Sequence, residues 1–484
     1  MRRVLMFQDK SFPFQITDVV GLSPFLRLRK ETTKVVFAHL PHLALHFGVM
    51  SSRDAALLSL FDGRRNLEDV IIKASILTDT SYLQARKTMY DLMKAVSPDF
   101  QVFVNCAYSS HKVFDASDYM IAAEKIDINV RLEAPLTMML QPTPLCEVDC
   151  VYCYACRRPL KARECLSLAR IVELLDEAVA LGIYQINLCG GDGFCREDFV
   201  EIVAACRQRD LIVDLSTKCR IDKNMARRLA DAGLDYIQVS LDSYKEETAD
   251  LMYGRKGHFR NIVTSIENLV ESGIFTRTNS IVTTYNFNDI RQTIGFIKSL
   301  GVRELKFSPA FRSMYRDNEH ILLSFEQKEE YRRLMRELEP QTRSEGLVVF
   351  HDAMKDFSEM TPAEKREYWF EKRARCSAGR CSLVITPDGN VVPCEEMPQT
   401  EEYFVGDVRT QSIKEVWNSP KLLQFTYPSR ESFAGSTACY ACADFDWCTH
   451  AMGHCFRDSL KVYGDVYETN PFCPRAKATT NRIY

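Results

Sequence analysis

The chain has 484 residues, 46% of them hydrophobic, and its 62 basic and 65 acidic side chains leave a formal net charge of −3. That hydrophobic share suits packed cores rather than disorder, the length is enough for roughly three domains, and near-neutral charge removes any electrostatic case for nucleic acid. Apolar runs are too short to cross a membrane, and the basic start Met1-Arg2-Arg3 is followed only by Val4-Leu5-Met6-Phe7 before Gln8 and Asp9, too short for a secretory segment. The expected location is cytoplasmic, without membrane or nucleic-acid partners. In that reducing compartment the 18 cysteines point to metal rather than to disulfides.

Residues 1–110 read as a small separate domain. Strand-like runs at 25–29, 34–38 and 43–47 precede a helix capped by Ser51 or Ser52 and stopped at Gly63, a second helix beginning at Asn66, and a third over Tyr82–Val96. Three strands and three helices suggest a winged-helix-like module, too small for an active site. A DNA-binding winged helix would need a basic recognition helix. Here Arg86, Lys87 and Lys94 stand against Asp91, which ranks that alternative low.

From 130 to 320, strand-like runs (136–140, 184–188, 211–215, 236–241, 279–283, 304–307) alternate with amphipathic helices (168–181, 198–207, 223–232, 259–272, 290–300). Six such βα units make an α/β fold, a partial (β/α)6 barrel with its chemistry at the carboxyl ends of the strands. That is where the most informative segment falls. Cys146, Cys150 and Cys153, in Cys146-Glu147-Val148-Asp149-Cys150-Val151-Tyr152-Cys153, place three thiols on one loop after the first strand. Three thiolates hold three irons of a [4Fe–4S] cube and leave the fourth open to another molecule. The second strand runs into Cys189-Gly190-Gly191-Asp192-Gly193, a turn whose glycines permit close backbone approach and whose Asp192 offers a carboxylate to an amine; the plain alternative is an ordinary βα turn.

Residues 321–375 are charged and helix-prone and read as a helical bridge, and residues 376–484 as a cysteine-rich domain. Cys376-x4-Cys381-x12-Cys394 is followed by Cys439-x2-Cys442-x5-Cys448-x6-Cys455 and then Cys473. Eight thiolates suffice for two fully ligated four-iron clusters, or for two structural zincs. Asp388-Gly389-Asn390 reads as a hairpin turn leading to Cys394. Of the remaining cysteines (Cys106, Cys156, Cys165, Cys189, Cys195, Cys206, Cys219), most read as small buried apolar residues. Cys195 and Cys219 are placed where either can face the cavity.

The cysteine loop, the aromatic before its last cysteine, the Gly-Gly-acid turn and the strand order resemble radical S-adenosylmethionine enzymes. The resemblance implies that Cys146, Cys150 and Cys153 hold the cluster that binds S-adenosylmethionine. It also implies that Gly190, Gly191 and Asp192 grip the methionine amine, with Asp192 one methylene shorter than the family's usual Glu. Tyr152 would lie against the adenine. Ser240 and Asp242 resemble the family's ribose and carboxylate contacts, a helix cap being the alternative, and Arg255 is a further carboxylate partner or else a solvated surface residue. The C-terminal cysteines resemble the SPASM extension, which implies one auxiliary cluster on Cys376, Cys381, Cys394 and Cys455 and another on Cys439, Cys442, Cys448 and Cys473, three [4Fe–4S] clusters in all. The N-terminal module resembles the RiPP recognition element, which implies that the leader of a ribosomal precursor peptide adds a strand beside residues 43–49 and packs on the Tyr82–Val96 helix. The expected function is radical maturation of that peptide, by an intramolecular thioether or carbon–carbon crosslink, with an external low-potential electron donor. Oxidation of a Ser or Cys on a protein, as in sulfatase maturation, and a non-catalytic iron–sulfur electron carrier are the alternatives.

Overall fold

The structure is a computed structural model and describes residues 12–39, 46–97, 101–107, 109–122, 131–156, 158, 160–161, 164–352 and 360–477. The chain divides into two compact units, residues 1–133 and residues 134–484.

In the first unit, β1 (Val19–Leu22), β2 (Leu26–Lys30), β3 (Val35–His39) and β4 (His46–Met50) are followed by α1 (Ser52–Leu58), β5 (Asp62–Asn66), α2 (Leu67–Thr78), α3 (Tyr82–Val96) and β6 (Phe103–Asn105). Strands β2, β3 and β4 form an antiparallel sheet in that order. The expected third strand begins in residues 43–45, which lie outside the described residues; its described part runs on to Met50. Ser51 is the cap of α1: its hydroxyl accepts the Asp54 N–H at 3.0 Å, and the Asp54 carboxylate answers the Ser51 N–H. Helix α1 stops at Leu58 rather than at Gly63, which lies in β5 at φ +70°, where a Cβ would run into the His111 ring. Strand β5 pairs with β1, and β1 with β6, in a second small sheet whose short strands carry too few alternations to be read from sequence. Val20, Leu22, Leu26, Phe61, Val70, Ile71, Met89 and Met93 close the core between the sheets and the helices.

The second unit is the expected α/β barrel, its sheet extended by further strands at both edges. The parallel strands β7 (Thr137–Leu140), β8 (Gln185–Leu188), β9 (Ile212–Thr217), β10 (Tyr236–Ser240), β11 (Phe275–Val282) and β12 (Glu304–Pro309) overlap the six read from sequence, β11 beginning four residues before the expected 279–283 because its polar first half, Phe275-Thr276-Arg277-Thr278, takes strand form through pairing with β10 and β12. Between them run α4 (Leu168–Ala180), α5 (Phe199–Arg207), α6 (Lys223–Asp231), α7 (Glu246–Tyr253), α8 (His258–Glu271) and α9 (Ile290–Ser299). Helix α4 shows the cause: Ser167 caps it, and Ile171, Leu174, Leu175 and Ala178 recur at helical spacing and are buried. Strands β9 and β12 alternate partly buried and buried residues along their whole length.

The region 321–375 is not a purely helical bridge. After α10 (Phe325–Ser344), strand β13 (Val348–His351) adds to β12 as a seventh parallel strand. At the other edge, β14 (Ser382–Ile385) lies parallel to β7 and continues antiparallel through β15 (Asn390–Val392) and β16 (Gly406–Asp407). The C-terminal cysteine-rich region therefore enters the barrel sheet, and Leu383, Ile385, Val391, Trp417 and Leu422 share one continuous core with barrel residues. Helices α11 (Pro362–Glu367), α12 (Ile413–Trp417), α13 (Pro420–Thr426) and α14 (Phe456–Tyr463) complete the fold. No helix among the described residues is long and apolar enough to cross a membrane.

Candidate functional site

The loop carrying Cys146, Cys150 and Cys153 leaves the carboxyl end of β7 and is tied down along its length. The Asp149 N–H donates to the Tyr253 carbonyl at 2.9 Å and the Val151 N–H to the Met252 carbonyl at 3.0 Å, so the last turn of α7 braces the loop. A Cβ at Gly254 would come 2.6 Å from the Asp149 carbonyl oxygen, which requires glycine there. Arg255 Nη1 donates to the Glu147 carbonyl at 2.6 Å, Arg316 pairs with Asp149, and the Ser313 hydroxyl donates to the Cys153 carbonyl at 2.9 Å. Arg255 is thus half-exposed yet fastened to the cysteine loop. Cys150 is buried, and burial pushes its thiol up; Cys146 and Cys153 are partly buried.

The glycine turn after β8 packs against the segment that leads into this loop. The Gly191 N–H donates to the Thr143 carbonyl at 3.1 Å and the Asp192 N–H to the Leu145 carbonyl at 2.7 Å. A Cβ on Gly191 would strike both carbonyls, and Gly190 adopts φ +119° with Gln141 against it. The closeness that the glycines permit is therefore taken up by protein backbone. Asp192 is buried, and its carboxylate accepts the Thr217 hydroxyl at 2.9 and 3.0 Å, the Lys218 N–H at 2.7 Å and the Phe194 N–H at 3.3 Å. It clamps the end of β8 to the end of β9, and burial raises its pKa.

The Tyr152 hydroxyl donates to Asp242 Oδ2 at 2.5 Å, and Asp242 Oδ1 accepts the Ile281 N–H at 2.8 Å. The Ser240 carbonyl accepts the Tyr253 hydroxyl at 3.2 Å. Neither Ser240 nor Asp242 caps a helix, since the N-cap of α7 is Lys245. Together Tyr152, Ser240, Asp242 and Tyr253 form a buried polar frame across β10 and β11, beneath the cysteine loop.

Sequence reasoning missed Lys218. Its ammonium lies 5.4 Å from the centroid of the Tyr152 ring; burial works against its charge, but Cys150, Asp242, Cys153 and Asp192 hold its pKa above the ordinary value. A lysine after a strand carries no sequence signal until the strand order brings it to the thiols. Also missed was the pair Tyr154–Glu395, whose hydroxyl-to-carboxylate bond of 3.2 Å ties the end of the cysteine loop to the residue after Cys394. Burial, and then Glu396, push the Glu395 carboxyl up to about 7. Of the seven cysteines outside the proposed ligand sets, only Cys206 and Cys219 are buried. Cys195 and Cys219 do meet beside the Asp192 turn, with Sγ atoms 3.6 Å apart.

The C-terminal thiols fall into two sets. Cys439, Cys442, Cys448 and Cys473 line one cavity with Trp369, Phe370 and Arg475, and burial pushes the Cys439 thiol up to about 12 and that of Cys473 to about 11. In the other set, Cys394 and Cys455 both lie within electrostatic reach of Cys376, and Cys381 opens β14, its carbonyl accepting the Leu136 N–H at 2.7 Å. The turn at Asp388-Gly389 joins β14 to β15 as expected, with Gly389 at φ +87°. Among the described residues no three His, Cys, Asp or Glu side chains close on one point as ligands of a single ion do. A cube spreads its thiolates over separate irons, so spaced sets of soft donors suit it.

A thiol-bearing loop at the carboxyl end of the first barrel strand, with further thiols in an extension joined to the same sheet, is the arrangement of a radical S-adenosylmethionine domain followed by a SPASM domain. Residues 140–297 match the radical SAM superfamily, and residues 376–443 match the SPASM iron–sulfur cluster-binding domain. The PqqA peptide cyclase of Ruegeria pomeroyi is 28% identical over 351 residues, covering 71% of this chain and 88% of the relative; that of Rhizobium meliloti is 25% identical over 353 residues, covering 72% and 88%. Among solved structures, Streptococcus suis SuiB bound to S-adenosylmethionine has a similar fold, with a TM-score of 0.60 at 15% identity over 94% of this chain and 99% of SuiB. The anSMEcpe structure with bound AdoMet and Cp18Cys peptide is similar at a TM-score of 0.51 and 16% identity, over 70% of this chain and 94% of that one.

Proposed function

We propose that this enzyme matures a ribosomally made precursor peptide by abstracting hydrogen from carbon and closing an intramolecular thioether or carbon–carbon crosslink. The observation that carries the chemistry is the loop of three thiols, Cys146, Cys150 and Cys153, held at the carboxyl end of β7 beside Lys218 and the Asp192 turn. The peptide substrate is supported by the names of the sequence relatives and by a solved SuiB complex with the precursor peptide SuiA, which has a similar fold.

Cys146, Cys150 and Cys153 would hold a [4Fe–4S] cluster, and S-adenosylmethionine bound there would supply the radical that abstracts hydrogen. The chain's own residues bind and orient. Tyr152, Gly190, Gly191, Asp192, Ser240, Asp242 and Arg255 are the residues that would bind the cosubstrate, the Tyr152, Asp192, Asp242 and Arg255 side chains acting through the protein contacts that hold the cysteine loop and the strand ends. With the Gly191 and Asp192 amides spent on Thr143 and Leu145, and the Asp192 and Gly193 carbonyls on the amides of Cys195 and Arg196, an ammonium group would meet the carbonyls at the start of the turn, those of Gly190 and Gly191. Cys376, Cys381, Cys394 and Cys455 would hold one auxiliary cluster and Cys439, Cys442, Cys448 and Cys473 the other, giving three in all. An external low-potential donor would supply the electron to the cluster on Cys146, Cys150 and Cys153. Strand β4 pairs only with β3 among the described residues, and its other edge is where a leader peptide would add a strand.

The test is anaerobic reconstitution with iron, sulfide and reductant, followed by incubation with S-adenosylmethionine and the precursor peptide. The expected product is lighter by two hydrogens, appears with deoxyadenosine, resists fragmentation between the joined residues and is inert to hydrazide reagents. Unchanged peptide mass counts against the reading, and a hydrazide-reactive product moves it to Ser or Cys oxidation.

A further inference from the structure

Two guanidinium groups point at sulfur in the C-terminal thiol cage. Arg373 Nη2 donates to Cys448 Sγ at 3.3 Å and to the Cys448 carbonyl at 3.3 Å. Arg475 Nη1 donates to Cys442 Sγ at 2.5 Å, while its backbone N–H reaches Cys473 Sγ at 3.5 Å. Neither arginine is loosely placed. The Arg373 guanidinium lies 3.8 Å from the Trp369 ring centroid and 5.5 Å from that of Trp447, which itself stacks on Phe370 at 5.1 Å. Arg475 is steered by Asp444 at 2.9 Å. A third arginine, Arg430, donates from Nη1 to the carbonyls of Tyr440 at 3.0 Å and Cys442 at 2.9 Å, fixing the loop between two of the thiols. Charges of both signs stand near both thiol sets, Arg373 with Asp444 near Cys448 here, and Arg457 with Asp458 near Cys376 and Cys455 and with Glu395 near Cys394 in the other; in this cage guanidinium N–H groups also reach the sulfurs themselves.

We propose that Arg373 and Arg475 raise the reduction potential of the cluster that Cys439, Cys442, Cys448 and Cys473 would hold, and so make this cage the electron-accepting end of the enzyme. The inference rests on the reading of that cage as a cluster site. A four-thiolate cluster gains a negative charge on reduction, so a cation donating N–H to its sulfurs stabilises the reduced form more than the oxidised one. The role fits the proposed reaction. When a substrate carbon radical bonds to a second substrate atom, one hydrogen leaves that atom as a proton to solvent, and one electron must go elsewhere. The cluster that this cage would hold would accept that electron and give it up to an oxidised one-electron carrier protein.

The test uses the full-length, anaerobically loaded protein and EPR-monitored redox titration, with iron content measured on every sample. R475Q and R373Q are each expected to lower the midpoint of one cluster and leave the others in place. A tenfold weaker reduction equilibrium per lost donor corresponds to about 59 mV for one electron. R475K, which keeps the charge and one donor, returns the midpoint toward that of the unaltered protein, which a merely structural role would not produce. Unchanged midpoints with full iron content overturn the inference while leaving the cluster reading intact. If C439A/C442A leaves every cluster signal unchanged, the cluster reading itself fails. Should a Gln variant lose iron, R373M and R475M carry the test, and midpoints equal to those of the unaltered protein with full iron content in both then overturn it.

Discussion

Gly191 has no room for a side chain: a Cβ there would come 2.5 Å from the Leu145 carbonyl oxygen and closer still to that of Thr143. Both obstacles are backbone, so neither can swing aside, and overpacking of this kind costs about 1–3 kcal/mol. The displaced segment is the one that delivers Cys146. Gly191→Ala is therefore expected to lose the iron of the first cluster while keeping that of the C-terminal sets, measured as iron per chain and by EPR of the reduced protein; full loading would refute the clamp. Arg158 tests a second fastening. It reaches from beyond Cys153 to the carboxylate of Asp388 with both terminal nitrogens and to Gln399 Oε1 at 3.1 Å, beside the Phe404 ring. Burial alone would raise the Asp388 pKa, but Arg158, Thr386 and Asn390 more than reverse that and hold it at about 2. The stability from a depressed carboxylate is complete above its unfolded value of about 3.9 and is lost only as pH falls toward the folded value. Arg158→Gln is thus expected to cost roughly 1–3 kcal/mol, equally at pH 6 and pH 9. Thermal midpoints of the loaded protein at those two pH values check it, and a cost that varies between them would mean that another group titrates with the pair.

At the scale of elements, the open edge of β4 makes the sharpest demand. An added strand hydrogen-bonds to backbone amides that otherwise face solvent, so a leader peptide is expected to slow hydrogen exchange in residues 47–50 by about tenfold or more and to leave the helices of the barrel unchanged. Mass-spectrometric exchange with and without the leader measures this; protection confined to the barrel would remove the N-terminal unit from substrate binding. The elements also show what was legible beforehand. The barrel strands could be read because apolar or alternating runs recur between amphipathic helices, most plainly at β9 and β10, and the cysteine loop because its thiols are close neighbours in the chain. Strand β13 escaped because only four residues, Val348–His351, lie between charged stretches, and its strand character comes from pairing with β12. Lys218 and Glu395 escaped for a similar reason. Each is an ordinary charged residue in sequence and becomes part of the site only when β9 and the β15 hairpin arrive beside the thiol loop. The roles of Gly191 and Asp192 were half legible: the turn was visible, but the carbonyls of Thr143 and Leu145 that fill it were not.

For the molecule as a whole, the decisive contact is the parallel pairing of β14 with β7, in register from Ser382 opposite Thr137 to Ile385 opposite Leu140. It makes the cysteine-rich region part of the barrel sheet rather than an appended domain, and the Cys381 carbonyl accepts the amides of both Leu136 and Thr137. The same pairing brings one auxiliary thiol set to the strand that launches the first cysteine loop. Its contribution is large. Leu383, Ile385, Val391, Trp417 and Leu422 are all essentially buried in the common core, and at about 1.5–3 kcal/mol per large apolar side chain their sum is comparable to the whole stability of a typical domain, about 5–15 kcal/mol. A chain ending at Arg375 would therefore expose the edge of β7 together with the apolar surface these residues cover. Such a truncation is expected to be insoluble or to bind no iron at Cys146, Cys150 and Cys153, even though all three thiols and every strand from β7 to β13 remain. If instead it is soluble, holds a four-iron cluster and cleaves S-adenosylmethionine at the rate of the full chain, the barrel is self-sufficient and the β14–β7 pairing is dispensable. Size-exclusion chromatography, iron analysis and deoxyadenosine production on the two proteins side by side separate these outcomes.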